Sequence, residues 1–259
     1  MPGSRATVDA AATLAMMRAM TDAPRTFVCL SGAWMGGWTW DFVAPQLRAA
    51  GHRVFTPSYR GLAERAHELS PDICNETCVE DAIACLVDND LRDIVLVGHS
   101  FGALISSLLV DRMPERVRQL VLIDGGLTRD GQSIFGRIPP RIVAKRQTLI
   151  REVNGTQVLP FAPATSLIID DPALAAWTHA RLTPHPLRCY TEPISLKHPA
   201  GNGLPITYIA CTKPLYPVSA GAHDIFRARS DTRFREIEAG HNCIVSAPDL
   251  VVRELLAVP

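Results

Sequence analysis

The chain has 259 residues, its 26 Lys and Arg residues balance 26 Asp and Glu residues, and 47% of its residues are hydrophobic. This length suits one large α/β domain or two small ones, and it is sufficient to bury a large core. A formal net charge of zero argues against a nucleic-acid partner, because no strong field is available to steer a polyanion. We therefore expect a small, largely apolar substrate.

Seven cysteines are scattered along the sequence, and their number is odd. This pattern is typical of free thiols in a reducing compartment, so we expect a cytoplasmic protein. Cys74 and Cys78 lie four positions apart, but no second pair stands nearby to complete a zinc site. We expect no metal and no cofactor. No apolar run is long enough to span a membrane, so no membrane association is expected either.

Residues 1–24 are interpreted as a loosely held N-terminal extension. Beyond them, short apolar segments typical of strands alternate with segments of helical periodicity. The predicted strands are 26–30, 52–56, 93–98, 117–124, 205–211 and 233–237. The predicted helices are 38–50, 76–87, 101–113, 172–182 and 248–258. This alternation predicts an α/β fold with a mostly parallel sheet of about six strands, flanked by helices.

Residues 131–202 interrupt this alternation, because they are rich in proline and contain no long buried strand. So long a stretch is not an ordinary connector. We interpret it as a helical cap inserted over the C-terminal edge of the sheet. The α/β core would then consist of residues 25–130 and 203–259.

Residues Gly98–Gly102, with the sequence GHSFG, match the pattern G-x-S-x-G. In that pattern a nucleophilic serine projects from a tight strand-to-helix turn, and the flanking glycines prevent clashes within the turn. Five residues can match by chance, but here an apolar strand precedes the pattern and an apolar helix follows it. The sequence therefore predicts the α/β-hydrolase fold with Ser100 as nucleophile, in preference to a glycine-rich turn with a solvent-facing serine.

Acyl transfer through a serine also needs backbone N–H groups that stabilise the developing oxyanion. The loop Ser31–Trp34 follows the first predicted strand and can supply one of them. We predict the N–H groups of Ala33 and Phe101 as the oxyanion hole, with a plain turn after the strand as the alternative interpretation of this loop.

Several segments resemble one branch of the α/β-hydrolases, which contains plant methylesterases, hydroxynitrile lyases and bacterial esterases of the pyrethroid-hydrolase type. Residues 31–40, SGAWMGGWTW, are similar to its segment HGAWHGGWCW, and residues 57–65, PSYRGLAER, resemble its P-x-x-x-G-L-G-E-R. Further similar segments are 123–133, 181–187 and 240–241. The resemblance runs from about Phe27 to the C-terminus and implies ester hydrolysis. Ser31 replaces the usual histidine, which affects the expected shape of the pocket floor more than the chemistry.

The general base should lie in a loop after the last strand, where it can reach Ser100 across the sheet edge. His241 fits this position among the eight histidines, and the resemblance places the base there. In the plant members the acid follows the penultimate strand, but here Cys211 and the residues after it offer no carboxylate. Asp124, at the end of the strand after the nucleophile helix, is favoured as the acid, with Asp224 as the alternative. Asp124 could also simply cap the turn that follows it.

These residues together predict a serine hydrolase with a catalytic triad, acting on a small ester or lactone through an acyl intermediate on Ser100. Aromatic side chains near the nucleophile suggest an apolar pocket. The candidate pocket residues are Ser31, Trp34, Trp38 and Phe161.

Other functions occur on the same fold, so the fold alone does not decide between them. The alternatives are a lyase, a cofactor-free oxygenase and a ligand-binding receptor. Asn242 stands where the hydroxynitrile lyases of the resembling branch carry a lysine, which disfavours a lyase. The presence of both Ser100 and His241 disfavours a receptor. The oligomeric state stays open, with a homodimer as one option.

Overall fold

The strands of the chain divide into a large parallel sheet and a small antiparallel one. The computed structural model describes residues 23–126, 129–161 and 163–259, so the expected N-terminal extension lies outside the described residues except for Ala23 and Pro24. Within the described residues, the strands are β1 (Thr26–Leu30), β2 (Arg53–Phe55), β3 (Ile94–His99), β4 (Val117–Ile123), β5 (Arg151–Val153), β6 (Thr156–Leu159), β7 (His185–Pro186), β8 (Ile206–Cys211) and β9 (Thr232–Ile237).

Six of these strands form the central sheet, in the order β2-β1-β3-β4-β8-β9, and each neighbouring pair is parallel. Every residue of β3 and of β8 is buried. Such unbroken burial is expected when helices cover both faces of a parallel sheet. The predicted α/β-hydrolase fold with a mostly parallel sheet of about six strands is confirmed.

Helices lie on both faces of the sheet. The α-helices are α1 (Ala44–Ala49), α2 (Asn75–Asp88), α3 (Phe101–Arg112), α4 (Ile134–Arg137), α5 (Pro140–Gln147), α6 (Pro172–His179), α7 (Arg188–Thr191), α8 (Ala220–Ala228), α9 (Cys243–Ser246) and α10 (Pro248–Leu256). Short 3₁₀-helices occupy Gly37–Trp40, Ala63–Glu68, Pro114–Arg116 and Ala164–Leu167. No helix among these is both long enough and apolar enough to cross a membrane.

The hydrophobic core has two layers, one on each face of the sheet. Val28 and Leu30 of β1 point into the layer formed with α2, α3 and α8, whereas Phe27 and Cys29 point into the layer formed with α1, α9 and α10. Successive residues of a strand face opposite sides of a sheet, so one apolar strand contributes to both layers. The end of β1 is thereby held rigidly next to the end of β3.

Residues 131–202 contain α4 to α7 together with the antiparallel sheet β5-β6-β7. The small sheet was not predicted, because its strands have only two to four residues and show no periodic pattern. Hydrogen bonds from the side chain and to the backbone of Trp34 join this segment to the loop after β1. Trp34 Nε1 donates to the carbonyl of Leu159 at 2.7 Å, and the N–H of Thr183 donates to the carbonyl of Trp34 at 3.0 Å.

Two further elements differ from the sequence prediction. The helix expected over 38–50 is a 3₁₀ turn followed by α1, in which Pro45 lies within the first turn, where its missing N–H is tolerated. The helix α8 was not predicted at all. Both regions are short, and tertiary contacts decide the conformation of such segments more than propensity does.

The contact between α3 and β1 yields a stability prediction. A Cβ added to Gly102 would lie 2.3 Å from the carbonyl oxygen of Leu30, whereas a Cβ added to Gly221 in α8 would meet no atom within 4 Å. We expect Gly102→Ala to lower the free energy of unfolding by about 1–3 kcal/mol through overpacking. Gly221→Ala should leave it unchanged or raise it by up to about 1 kcal/mol. Urea denaturation measures both, and equal stabilities for the two variants would contradict this packing.

Candidate active site

Ser100 occupies the turn between β3 and α3 in a strained backbone conformation, with φ 55° and ψ −112°. Residues other than glycine rarely adopt such angles, and the cost is about 1–3 kcal/mol. The surroundings hold the turn in place, since the N–H of Ser100 donates to the carbonyl of Ile123 and its carbonyl accepts from the N–H of Ala103. A Cβ on Gly98 would lie 2.4 Å from the carbonyl oxygen of Gly102, which explains the two glycines of the pattern.

His241 follows β9 and lies between Ser100 and Asp124. Its Nε2 is 2.9 Å from Ser100 Oγ, and its Nδ1 is 2.5 Å from Asp124 Oδ2. A neutral imidazole with its proton on Nδ1 satisfies both contacts, donating to the carboxylate and accepting from the hydroxyl. The structure therefore brings together the three residues that the sequence nominated as nucleophile, base and acid.

Asp124 directly follows β4 and lies in the left-handed region, at φ 46°, and its side chain is fully buried. Besides His241, its carboxylate accepts from His223 Nε2 at 2.6 Å, from Ser219 Oγ at 3.0 Å and from the N–H of Cys211 at 3.3 Å. Burial by itself would raise the pKa of Asp124, but the hydrogen bonds and charges of His223 and His241 outweigh it and hold the pKa below its ordinary range. The carboxylate is ionised at neutral pH.

The alternative acid, Asp224, lies on the outer face of α8. Its side chain is 84% exposed and faces Arg227 at 3.4 Å. It makes no hydrogen bond to His241, so of the two candidate acids Asp124 is the one in contact with the imidazole.

His223 is the site residue that the sequence did not reveal. It precedes Asp224 on α8, but its side chain points inward, is almost fully buried and binds the Asp124 oxygen that His241 leaves free. No motif surrounds it, and α8 itself was not predicted. The available signal was physical, because a buried carboxylate needs donors for both of its oxygens.

The loop after β1 presents Ala33 beside the nucleophile. Among the described residues, neither the N–H of Ala33 nor that of Phe101 has a hydrogen-bond acceptor, and both residues line the cavity that contains Ser100. Trp34 shapes the loop with a positive φ of 67°. Two unpaired N–H groups at the start of a helix and in the facing loop are suited to bind an oxyanion.

Ser31 is not a pocket residue, contrary to the sequence prediction. Its hydroxyl is completely buried, donates to the carbonyl of Gly36 at 2.8 Å and lies 3.1 Å from Thr39 Oγ1. These contacts stabilise the loop, and the side chain of Ser31 does not face the cavity.

The model of the alpha/beta hydrolase family matches residues 27–254. The chain belongs to the alpha/beta hydrolase family. It is similar to the carbendazim hydrolyzing esterase of Nocardioides sp. (strain SG-4G), with 28% identity over 90% of this chain and 98% of that protein. This match and the family model confirm the resemblance inferred from the motifs.

Two solved structures share this fold. An extracellular α/β-hydrolase from a Paenibacillus species has a TM-score of 0.76 and 23% identity, covering 90% of this chain and 98% of its own. A pyrethroid hydrolase has a TM-score of 0.71 and 18% identity, covering 91% and 97% respectively.

The cavity of this hydrolase lies at Ser100 and opens to solvent, and the empty space of the cavity and its mouth together is about 760 Å³. Trp34 and Phe161 line it, as the sequence predicted, with their rings edge-on at 5.1 Å. Trp38 does not reach the cavity, contrary to the prediction. Its ring packs edge-on against Trp177 of α6 at 5.5 Å, which fixes α6 above the 3₁₀ turn.

Two buried histidines beside the site stay neutral. His99 donates from Nε2 to the backbone carbonyl of His241 at 2.7 Å, and burial lowers its pKa to about 3. His185 packs edge-on against Phe101 at 4.7 Å, and burial likewise lowers its pKa to about 3. Neither imidazole takes up a second proton to become a charged imidazolium in the folded protein near neutral pH.

His185 should make the hydrolase less stable in acid. The pKa of His185 is lowered in the folded state. The contribution of the neutral imidazole to the free energy of unfolding is therefore fully present above the unfolded pKa of about 6.5, and it is lost as the pH falls toward 3. We expect His185→Leu to reduce the slope of the unfolding free energy between pH 6 and pH 4 by up to about 1.4 kcal/mol per pH unit. Urea denaturation across this pH range measures the slope. An unchanged slope would show that His185 takes up no proton on unfolding.

Proposed function

We propose that this chain hydrolyses carboxylic esters through a covalent acyl intermediate on Ser100. The observation that carries the proposal is the continuous hydrogen-bonded chain from Ser100 through His241 to Asp124, at the wall of a cavity that also exposes two free N–H groups. The similarity to an esterase over 90% of the chain supports the same reaction class.

Acylation follows from the contacts of the serine. As Ser100 Oγ attacks the ester carbonyl carbon, His241 Nε2 accepts the hydroxyl proton. The carbonyl oxygen becomes an oxyanion and accepts hydrogen bonds from the N–H groups of Ala33 and Phe101. When the tetrahedral intermediate collapses, the ester C–O bond breaks and the leaving alcohol takes the proton from His241.

Deacylation repeats the sequence with water. His241 Nε2 accepts a proton from the water that attacks the acyl carbon, and it returns that proton to Ser100 Oγ as the acid product leaves. Asp124 stays ionised throughout, because its carboxylate is stabilised by four donors and does not need the proton. Its charge stabilises the imidazolium that forms in each step.

Lactones belong to the proposed substrate range, since they are cyclic esters and open by the same steps. We place the enzyme in the cytoplasm. The support for this location is that all seven cysteines are free thiols, five of them buried.

The position after the base supports hydrolysis more than a lyase reaction. Asn242 is 6% exposed, and its side-chain amide donates to the carbonyl of Leu167 at 2.6 Å. It therefore supplies no cation beside His241 to stabilise a leaving cyanide.

Covalent labelling tests the proposed nucleophile. We expect a fluorophosphonate probe to label the wild-type chain at Ser100 and to leave Ser100→Ala unlabelled, with hydrolysis of p-nitrophenyl acetate lost in parallel.

Asp124→Asn should lower kcat by about 10⁴-fold, because the amide favours the wrong imidazole tautomer.

Asp224→Asn is the matched control for the acid, because it makes the same chemical change on an exposed side chain. It should retain wild-type activity. A folded wild-type chain that is neither labelled nor active would overturn the proposed function, whereas a larger loss in Asp224→Asn than in Asp124→Asn would overturn only the assignment of the acid.

His223 should act as a positioning residue for the acid, since it touches Asp124 and not the cavity. We expect His223→Leu to lower kcat by about 10–100-fold, as loss of an outer hydrogen-bond partner does at other sites, while KM changes little. His223→Gln places a donor near the same carboxylate oxygen and should recover part of the loss. Steady-state kinetics on one activated ester separates kcat from KM. Equal losses in both variants with unchanged stability would contradict the role.

A further inference from the structure

Two arginines of the cap segment line the cavity of the nucleophile. Arg137 ends α4, Arg146 lies in α5, and both line the cavity that contains Ser100. The proposed reaction uses neither of them.

Arg137 has no acidic partner among the described residues. Its Nε is buried without a hydrogen-bond acceptor, and it forms no ion pair with an Asp or Glu side chain. The carboxylate that lines the same cavity belongs to Asp124, whose oxygens already accept from four donors. The guanidinium of Arg137 is therefore an uncompensated charge inside the site.

Two other arginines of the chain differ from Arg137 in this respect. Arg60 and Arg65, which are also only partly exposed, both pair with the nearly buried carboxylate of Asp81. Burial lowers the pKa of Arg137, and the nearby positive charge of Arg146 contributes to the same shift. Removing a cation from water without a partner is costly, so an anion bound at this position would be stabilised.

Arg146 adds a second cation, but its guanidinium already contacts several side chains. Its guanidinium lies over the rings of Trp34 at 5.6 Å and Tyr190 at 5.7 Å, and Nη2 donates to Tyr216 Oη at 3.2 Å. With the single negative charge of Asp124, the two arginines leave the cavity with one excess positive charge. One excess charge matches a monoanion.

The backbone makes room for Arg137 close to the reacting groups. A Cβ added to Gly126 would lie 1.6 Å from Arg137 Nη1, so the guanidinium packs directly against the backbone of Gly126. Gly126 is two positions beyond Asp124. The guanidinium is thus held next to the strand end that carries the acid.

We propose that Arg137, with Arg146 beside it, binds a carboxylate group of the substrate, so that the enzyme prefers esters or lactones that carry a free carboxylate elsewhere in the molecule. A planar guanidinium presents two parallel N–H groups that fit a carboxylate. The aromatic side chains Trp34 and Phe161 would contact the apolar part of the same substrate. The inference rests on the proposed ester hydrolysis and adds a negatively charged group to the largely apolar substrate that the sequence analysis expects.

Matched substrate pairs test this preference on both sides of the ester bond. p-Nitrophenyl hydrogen adipate and p-nitrophenyl methyl adipate differ by one charge on the acyl side. 4-Acetoxybenzoate and its methyl ester differ by one charge on the alcohol side. We expect wild-type kcat/KM to favour the charged member of at least one pair by about tenfold or more, as for a hydrogen bond to a charged group.

Arg137→Gln should reduce this charged-to-neutral ratio by about tenfold or more, and Arg137→Lys, which keeps the charge but loses the fork, should lie between. Arg141→Gln is the control, because Arg141 is an exposed arginine of α5 outside this cavity, and its ratio should equal that of the wild type. Thermal unfolding of each variant verifies that it is folded.

The outcomes separate the two proposals. A wild-type ratio near one for both pairs, or an unchanged ratio in Arg137→Gln, would overturn the carboxylate site while Ser100-dependent hydrolysis of the neutral esters still stood. Hydrolysis that persists in Ser100→Ala would instead overturn the proposed function.

Discussion

The buried carboxylate of Asp124 is the interaction on which the site depends. An ionised group without exposure to water is tolerated only when donors surround it, and here the donors come from His241, His223, Ser219 and the backbone of Cys211. These residues belong to the end of β8, to α8 and its preceding turn, and to the loop after β9. One charge therefore holds together segments that are distant in the sequence, and the imidazole of His241 is oriented as part of the same network.

The part of the site formed by Ala33 and Trp34 depends on the loop after β1. Its shape comes from the positive φ of Trp34 and from the buried hydroxyl of Ser31, while hydrogen bonds to Leu159 and from Thr183 attach the cap segment to Trp34. The loop that carries the N–H of Ala33 therefore also contacts the segment 131–202, to which Arg137 belongs. Both the loop and that segment contribute residues to the cavity that contains Ser100.

The sequence predicted most reliably what a continuous local signal encodes. The apolar strand, the GHSFG turn and the apolar helix are contiguous, so Ser100 could be placed with its two supporting elements. The position of His223 could not be found in this way, because it depends on the docking of α8 and on a hydrogen bond to a residue 99 positions away. The prediction that Trp38 lines the cavity was wrong for the same reason. The conformation of the loop decides which tryptophan faces the cavity and which one packs on Trp177.

The place of the acid shows how geometry can be kept while the sequence position changes. β4 and β8 are adjacent parallel strands, and their carboxyl ends lie side by side at the same edge of the sheet. A carboxylate at either end can reach the imidazole of the loop after β9. In this chain Asp124 directly follows β4, and the end of β8 contributes the N–H of Cys211 to that carboxylate. Residues 212–217 after β8 contain no carboxylate, so β8 supports the site as a donor to the carboxylate that follows its neighbour and does not supply one itself.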